Sequence, residues 1–352
     1  MFTIEMLPAQ RGDCLWLTYG SESDLHHVLI DGGPSDTLAT LVPELERRLK
    51  ALPGRNNRVE LLVITHIDAD HIQGIVSLLS DHRRVRLFKD IWFNGFKHLG
   101  DDKLGAPDGE RLTAALDPEQ RRWNKAFKGN AVVAPDEGDL PVIHLAGGLQ
   151  LTLLSPTPAS LAKLAPKWSK ECERAGLIPG KGAEVPKSWR RDEMLGFDIE
   201  QAAARPYHAD RAEPNGSSIV FIATYDGKSV LCGADAHSEI LEASLNRLSP
   251  NPTRLTAVKI NHHGSKNNTS PKLLQRIKSK NWLVSTNGAK FHHPHADTLA
   301  RIILSQNKPC FHLNYVTEDV QDLIDSAGVQ YTVRLPPRSS DGFGQGIVVK
   351  LS

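Results

Sequence analysis

The sequence predicts an α/β protein in which two β-sheets pack face to face and helices cover their outer sides. Three observations lead there. Leu61-Leu62-Val63-Ile64 is an unbroken apolar run, as a strand buried on both faces requires. Directly after it, Ile72, Ile75, Val76, Leu78 and Leu79 recur at helical spacing. The second half of the chain then has the same rhythm of strand, polar turn and helix, without any short sequence repeat.

Taken in order, residues 2–6 and 14–19 read as strands joined by the turn Gln10-Arg11-Gly12-Asp13. A third strand, 28–30, ends in Asp31-Gly32-Gly33, where two glycines permit a tight turn and close backbone approach. Residues 38–49 form an amphipathic helix with Glu44, Glu46, Arg47 and Arg48 outside. Next come the strand at 61–64, a polar turn and a helix starting near Asp70 or His71. Residues 88–93 are a strand closed by Asn94-Gly95, and the chain then turns polar from 97 to 142, with a helix over 110–127 and loop elsewhere. A strand at 149–154 ends in Ser155-Pro156, and a helix spans 159–175.

Residues 176–214 break the pattern. Pro179-Gly180-Lys181-Gly182, Pro186 and Pro206 preclude long regular elements, so the stretch reads as an insertion over the site. Trp189, Arg190 and Arg191 there suit a substrate contact or a solvated charged patch. Strands at 218–224 and 229–231 lead to the tight turn Gly233-Ala234-Asp235-Ala236 and a helix at 240–248. A strand at 255–260 runs into Asn261-His262-His263-Gly264-Ser265, and then come a helix at 272–277 and a strand at 282–286. After Asn287-Gly288 comes Phe291-His292-His293-Pro294-His295, then a helix at 299–304 and closing strands at 310–313, 329–335 and 347–351.

The 352 residues allow one large domain or two modest ones, and 40 % apolar with 24 % charged content is ordinary for a globular protein. A net charge of +1 gives no global basic field that would announce nucleic acid, and no acidic tail. There is no basic leader at the start and no apolar run near the ~18 residues of a membrane span, so a cytoplasmic protein without membrane partners is expected. Cys14, Cys172, Cys232 and Cys310 lie far apart with no CxxC pair, as isolated reduced thiols do.

The chemistry concentrates in one turn. His66, Asp68, Asp70 and His71 fall within six positions between a buried strand and a helix, where a turn can aim several side chains at one point. His66 and Asp68 can converge on one ion, while Asp70 and His71 leave in another direction that suits a second. A lone Asp before a helix is as readily a cap, but two His and two Asp together favour metal binding. Imidazole and carboxylate without Cys suit zinc or manganese. The adjacent pair His262-His263 is a second concentration, since imidazoles are expensive to bury without partners.

His66-x-Asp68-x-Asp70-His71 resembles the metal signature of the metallo-β-lactamase fold, usually H-x-H-x-D-H. The Asp at its third position is similar to the variant in the hydrolase domain of competence DNA-uptake channel proteins, as is His262-His263-Gly264-Ser265. The resemblance implies a four-layer αββα sandwich of two mixed sheets, a single hydrolase domain over 1–352 with insertions near 96–145 and 176–213. It implies two divalent ions, zinc or manganese, held by His66, Asp68, Asp70, His71, Asp235 and His262, with Asp235 between them. His66, Asp68 and His262 would centre on one ion, Asp70 and His71 on the other. Asp31 would orient a metal-binding His. His263 and His293 would face substrate, with Asn215, Ser265 and Ser285 around them; the order of His262 and His263 stays open, because adjacent residues at a strand end point opposite ways. The wider family has a metal-binding His near Asn215, and this chain does not.

The resemblance thus implies a metal-dependent hydrolase, a phosphodiesterase or nuclease using a metal-bridging hydroxide, with Asp70 in the catalytic machinery and His263 or His293 assisting the substrate or leaving group. Nucleic acid is the implied partner, with Lys259, Lys266, Lys272, Arg190 and Arg191 available for backbone contacts. Two alternatives remain: a hydrolase of a small ester, lactone, phosphocholine or cyclic nucleotide, or a non-catalytic metal-stabilised module of a larger assembly.

Overall fold

A computed structural model describes residues 1–52, 57–99, 107–174, 198–289, 291–316, 318–337 and 346–351. Its strands are β1 (Phe2–Met6), β2 (Leu15–Ser21), β3 (Asp24–Ile30), β4 (Val59–Val63), β5 (Phe88–Trp92), β6 (Val142–His144), β7 (Gln150–Ser155), β8 (Val220–Tyr225), β9 (Lys228–Cys232), β10 (Thr253–Lys259), β11 (Ile277–Val284), β12 (Cys310–Leu313), β13 (Thr332–Arg334) and β14 (Ile347–Lys350). The helices are α1 (Leu38–Ala51), α2 (Ala69–Leu79), α3 (Pro107–Leu116), α4 (Pro158–Arg174), α5 (Ile199–Ala204), α6 (Glu213–Gly216), α7 (Ser238–Leu245), α8 (Pro271–Arg276), α9 (Ala296–Ser305) and α10 (Glu318–Asp325).

Two mixed sheets result. One has the order β14-β1-β2-β3-β4-β5, the other β13-β12-β11-β10-β9-β8-β7-β6. In the first, β1, β2 and β3 are antiparallel neighbours, while β3, β4 and β5 run parallel. In the second, β9 to β13 run parallel and β6 to β9 antiparallel. The αββα sandwich expected from the sequence is therefore present.

Side-chain alternation shows how the layers form. On β4, Leu61 and Val63 enter the core between the sheets, whereas Leu62 and Ile64 join the cluster under the helices. Val28 and Ile30 against Leu29 divide in the same way on β3. Across the inter-sheet core, Trp92 meets Phe221 edge-on at 6.2 Å and Phe2 meets Tyr225 at 5.8 Å. The outer face of the first sheet is covered by Leu41 and Leu45 of α1 and by Ile72, Ile75 and Leu78 of α2.

Several details differ from the sequence reading. Arg48 is buried, not outside: its guanidinium lies 4.7 Å above the Trp16 ring and bonds Glu5 and Glu44. The helix expected over 110–127 stops at Leu116, because Pro118 and the left-handed Asn124 divide residues 117–127 into short 3-10 turns. Asn124 then serves β5: its amide oxygen accepts from Phe93 N at 2.9 Å, and its own N–H reaches Ile91 O at 2.8 Å. The edge of the first sheet is covered in this way. Strand β11 starts five positions earlier than 282, since pairing with β10 outweighs the polar Lys278-Ser279-Lys280. Strand β6 and helix α10 were not anticipated. Trp189, Arg190 and Arg191 lie outside the described residues. Cys14, Cys232 and Cys310 are buried free thiols. No helix among the described residues is long and apolar enough to cross a membrane.

Helix α2 sits unusually close to the Asp31-Gly32-Gly33 turn. Gly74 N donates to Gly33 O at 2.8 Å, and a Cβ on Gly74 would fall 2.0 Å from Gly32 O. Alanine inside a helix ordinarily stabilises by about 0.5–1 kcal/mol over glycine. Here Gly74→Ala is expected to destabilise instead, by roughly 1–3 kcal/mol, read as a lowered urea midpoint. A second expectation concerns pH. His27 is buried and its Nδ1 accepts from Trp16 Nε1–H at 3.0 Å, so this nitrogen must be unprotonated. Burial first, then Arg48, hold its pKa down at about 4. The folded pKa lies below the unfolded one, so the associated stability is complete above about pH 6.5 and falls as pH drops toward 4, by up to about 3 kcal/mol. His27→Gln should flatten that part of the stability–pH curve.

Candidate metal centre

Loops at the C-terminal ends of parallel strands converge on one point, the usual place for a site in open α/β sheets. The loop after β3 brings Asp31, the loop after β4 brings His66 and Asp68, and the first turn of α2 brings Asp70 and His71. The turn after β9 brings Asp235, the turn after β10 His262 and His263, and the segment after β11 Ser285 and His293. The two turns of the second sheet are laced together by His262 N donating to Ala234 O at 2.7 Å. His262 and His263 both take left-handed backbone, with φ of 44° and 52°. This rare conformation for non-glycine residues turns both rings toward the same carboxylate.

That carboxylate is Asp235, 2 % exposed. Its Oδ2 lies 3.4 Å from His71 Nε2, 3.6 Å from His262 Nε2 and 3.8 Å from His66 Nε2. Its Oδ1 lies 3.9 Å from His263 Nε2. Asp70 Oδ2 is 3.8 Å from the same His263 nitrogen, and Asp68 Oδ2 is 3.8 Å from His66 Nε2. Asp68 is the N-cap residue of α2 by backbone, yet its side chain makes no capping bond and stays turned to the site.

Hydrogen bonding decides which nitrogen of each ring faces inward. His71 Nδ1–H donates to Asp31 Oδ2 at 2.8 Å. His263 Nδ1–H donates to Ser285 O at 2.8 Å, the only role open to it against a carbonyl. Thr65 Oγ1–H donates to Asp31 Oδ2 at 2.7 Å, which leaves its oxygen to accept from His66 Nδ1–H at 3.0 Å. His262 Nδ1–H donates to Asn268 Oδ1 at 2.9 Å, and Asn268 Nδ2 is committed to Asp210 Oδ2 at 2.8 Å. Each ring thus turns its Nε2 to the centre, where the neutral ring offers a lone pair.

The donor set fits divalent cations. The Nε2 atoms of His71 and His263 stand 3.3 Å apart, an arrangement that repels unless a cation or a proton lies between or beside them. His66 Nε2 and Asp235 Oδ1 are buried with no hydrogen-bond partner among the described residues. The groups His66–His71–Asp235 and Asp70–His71–His263 each place their ligand atoms within 4.8 Å of one another, close enough to hold an ion. The same field attracts protons. Burial opposes a charged His71, but Asp235 and Asp31 raise its pKa well above the usual imidazole value. Burial likewise opposes the Asp235 anion, yet His71, His262 and His263 hold its pKa well below the carboxylate range. His66 shifts the other way, because burial and then His71 lower it.

The structure also places the other residues singled out from sequence. His293 is buried, its ring 5.1 Å from His262 and stacked 6.2 Å from His263; burial first, then His262, His295 and His263, keep it neutral. Asn215 Nδ2 donates to Asp210 Oδ2 at 2.6 Å and lies on the Nδ1 side of His262, at 3.4 Å, away from the Asp235 face. Ser265 Oγ accepts from Asn267 N at 3.3 Å and braces the turn. Ser285 touches His263 through its carbonyl, while its hydroxyl donates to Gly12 O at 2.9 Å. Lys259, read from sequence as a free basic position, is fully buried against Asp13 at 2.6 Å; Arg190 and Arg191 lie outside the described residues. The sequence reading missed Thr65, Asp210, Asn268 and Asp13. Short polar residues scattered through turns carry no spacing signal, and only the fold brings them behind the imidazoles.

Asp31 is the hinge of this outer ring, accepting from Thr65 N at 2.8 Å as well as from Thr65 Oγ1 and His71 Nδ1. Asp31→Ala would strand those donors in a site that is 0 % exposed at Asp31. The metal-free variant is expected to lose about 3 kcal/mol or more of unfolding free energy in chemical denaturation, and Asp31→Asn less.

No family model matches the chain. Over 120 residues it is 28 % identical to ComE operon protein 3 of Bacillus subtilis (strain 168). That stretch is 34 % of this chain and 15 % of the Bacillus protein, so the two are similar over a minor part of that protein's length.

Proposed function

We propose that this chain is a two-metal hydrolase of phosphodiesters, with nucleic acid as its substrate. The observation that carries the reading is the set of four inward Nε2 atoms around Asp235, each fixed by an outward Nδ1 hydrogen bond. Such a set suits metal binding and has no other evident use in a buried site. His66, Asp68 and His262 would hold one ion and Asp70, His71 and His263 the other, with Asp235 shared. In that assignment His262 takes the place of the histidine absent at Asn215, and Asn215 with Asp210 braces it from behind. Divalent ions at such a centre lower the pKa of water and neutralise charge developing on phosphate oxygens.

The chain's own residues do the rest. Asp31, Thr65, Ser285 and Asn268 hold Nδ1–H outward on the four rings, so binding an ion displaces Nε2 protons without turning the rings. Neutral His293, beside both His262 and His263, supplies a ring N–H that can hydrogen-bond a substrate oxygen. The choice of a phosphodiester rests on the resemblance of the His-Asp signature to the competence-type hydrolases and on the partial similarity to ComE operon protein 3.

Hydrolysis of bis-p-nitrophenyl phosphate and of single-stranded DNA, with Mn²⁺ or Zn²⁺, tests this. Wild type should cleave both. Asp70→Ala and His262→Ala should each lose more than about 100-fold, beyond the 10- to 100-fold typical of an outer-shell partner. Cleavage of the small diester alone would move the substrate to a small molecule. Ions bound without turnover of either would point to a structural metal module.

A further inference from the structure

Behind His263 lies an ion pair to which the assignment of metal ligands gives no role. Lys259 is 0 % and Asp13 1 % exposed. Lys259 Nζ donates to Asp13 Oδ2 at 2.6 Å and to Ile260 O at 3.1 Å. A lysine with no exposure is rare, because removing its charge from water is costly unless a partner compensates. The other carboxylate oxygen, Asp13 Oδ1, has no hydrogen-bond partner among the described residues and stands 3.4 Å from His263 Nδ1.

Asp13 reaches this place through the turn ahead of β2. Asp13 N donates to Asp70 O at 3.2 Å, and Gly12 O accepts from Ser285 Oγ at 2.9 Å. A Cβ on Gly12 would fall 1.8 Å from Asp70 O, so only glycine lets the turn close on the first turn of α2. The turn therefore touches both Asp70 and Ser285, the residue whose carbonyl holds His263.

We propose that Asp13 is a positioning residue of the metal centre: its carboxylate, anchored and charge-balanced by Lys259, orients His263 and strengthens its Nε2 as a ligand. The proposal rests on the metal-binding reading of the site. A negative charge 3.4 Å from Nδ1 favours positive charge building up on the ring and so strengthens Nε2 as a donor to a cation, while Ser285 O holds the Nδ1 proton. Asp31 takes the His71 proton in a hydrogen bond of 2.8 Å, whereas Asp13 acts on His263 by its charge at 3.4 Å while Ser285 O accepts the proton. Lys259 is what allows the anion there. Its ammonium, 2.6 Å from Oδ2, balances a charge that burial disfavours. The bland alternative is a packing pair, and buried ion pairs kept only for packing can be exchanged for neutral side chains with little loss.

Metal-free protein titrated with Mn²⁺, with the free ion followed by electron paramagnetic resonance, separates these cases. Asp13→Asn should weaken one of the bound ions by about 10- to 100-fold and leave the other unchanged. Asp13→Asn/Lys259→Gln replaces the ion pair by a neutral one. Melting of its metal-free form, followed by circular dichroism, should return close to wild type while the weakened ion stays weak. A double variant that regains both stability and wild-type affinity overturns the proposal, as does Asp13→Asn binding both ions at full strength. A wild-type protein that binds no Mn²⁺ overturns the metal reading itself, and this proposal with it, before any variant is compared.

Discussion

The buried carboxylate of Asp235 is the constraint on which the rest of the site depends. Four imidazole nitrogens point at it from 3.4 to 3.9 Å. Imidazoles do not crowd around one anion without help, since each ring has a second nitrogen that must also be satisfied in a space from which water is largely excluded. The chain meets that demand with one acceptor behind each ring: a carboxylate, a hydroxyl, an amide and a backbone carbonyl. The inner set is therefore only as well ordered as the outer one, and the outer one is drawn from loops of both sheets.

The sandwich makes that assembly possible. The first sheet supplies the turns after β3 and β4, the second those after β9, β10 and β11. Face-to-face packing fixes the distance between the two groups through contacts such as Trp92 on Phe221. A backbone bond from Ile219 N to Thr65 O, at 2.9 Å, ties the strand-end of one sheet to the other beside the site. Left-handed backbone at Asp31, Ala234, His262 and His263 concentrates strain there. Each such residue costs on the order of 1–3 kcal/mol, a cost the surrounding packing must offset, so these positions are held for what they aim and not for local comfort.

Local pattern and spacing made much of this legible. The apolar run at 61–64 and the helical spacing after it placed the strand–turn–helix unit, and the density of His and Asp between 66 and 71 marked its turn as a metal site candidate. The His262-His263 pair stood out as an unusual residue type at a strand end, whereas Asp235 was marked only by the resemblance, since an Asp in a tight turn is ordinary. Local pattern failed where tertiary pairing overrode it. Polar residues 278–281 hid the first half of β11, which exists because β10 lies alongside. Arg48 looked solvated until Trp16 and Glu5 were brought against it.

By itself, then, the sequence determined the class of fold, the order of its elements and the residue types that meet at the turns, because hydrophobic period and ligand chemistry are local properties. Only the tertiary structure decided which nitrogen of each histidine faces inward, that His262 and His263 both approach Asp235, and that Asn215 stands behind His262. It also turned Asp13 and Lys259, which read as a turn residue and a basic surface position, into a buried pair behind the centre. Those outcomes depend on hydrogen-bond partners up to 273 positions apart. No spacing rule connects such residues; the packing of one sheet on the other does.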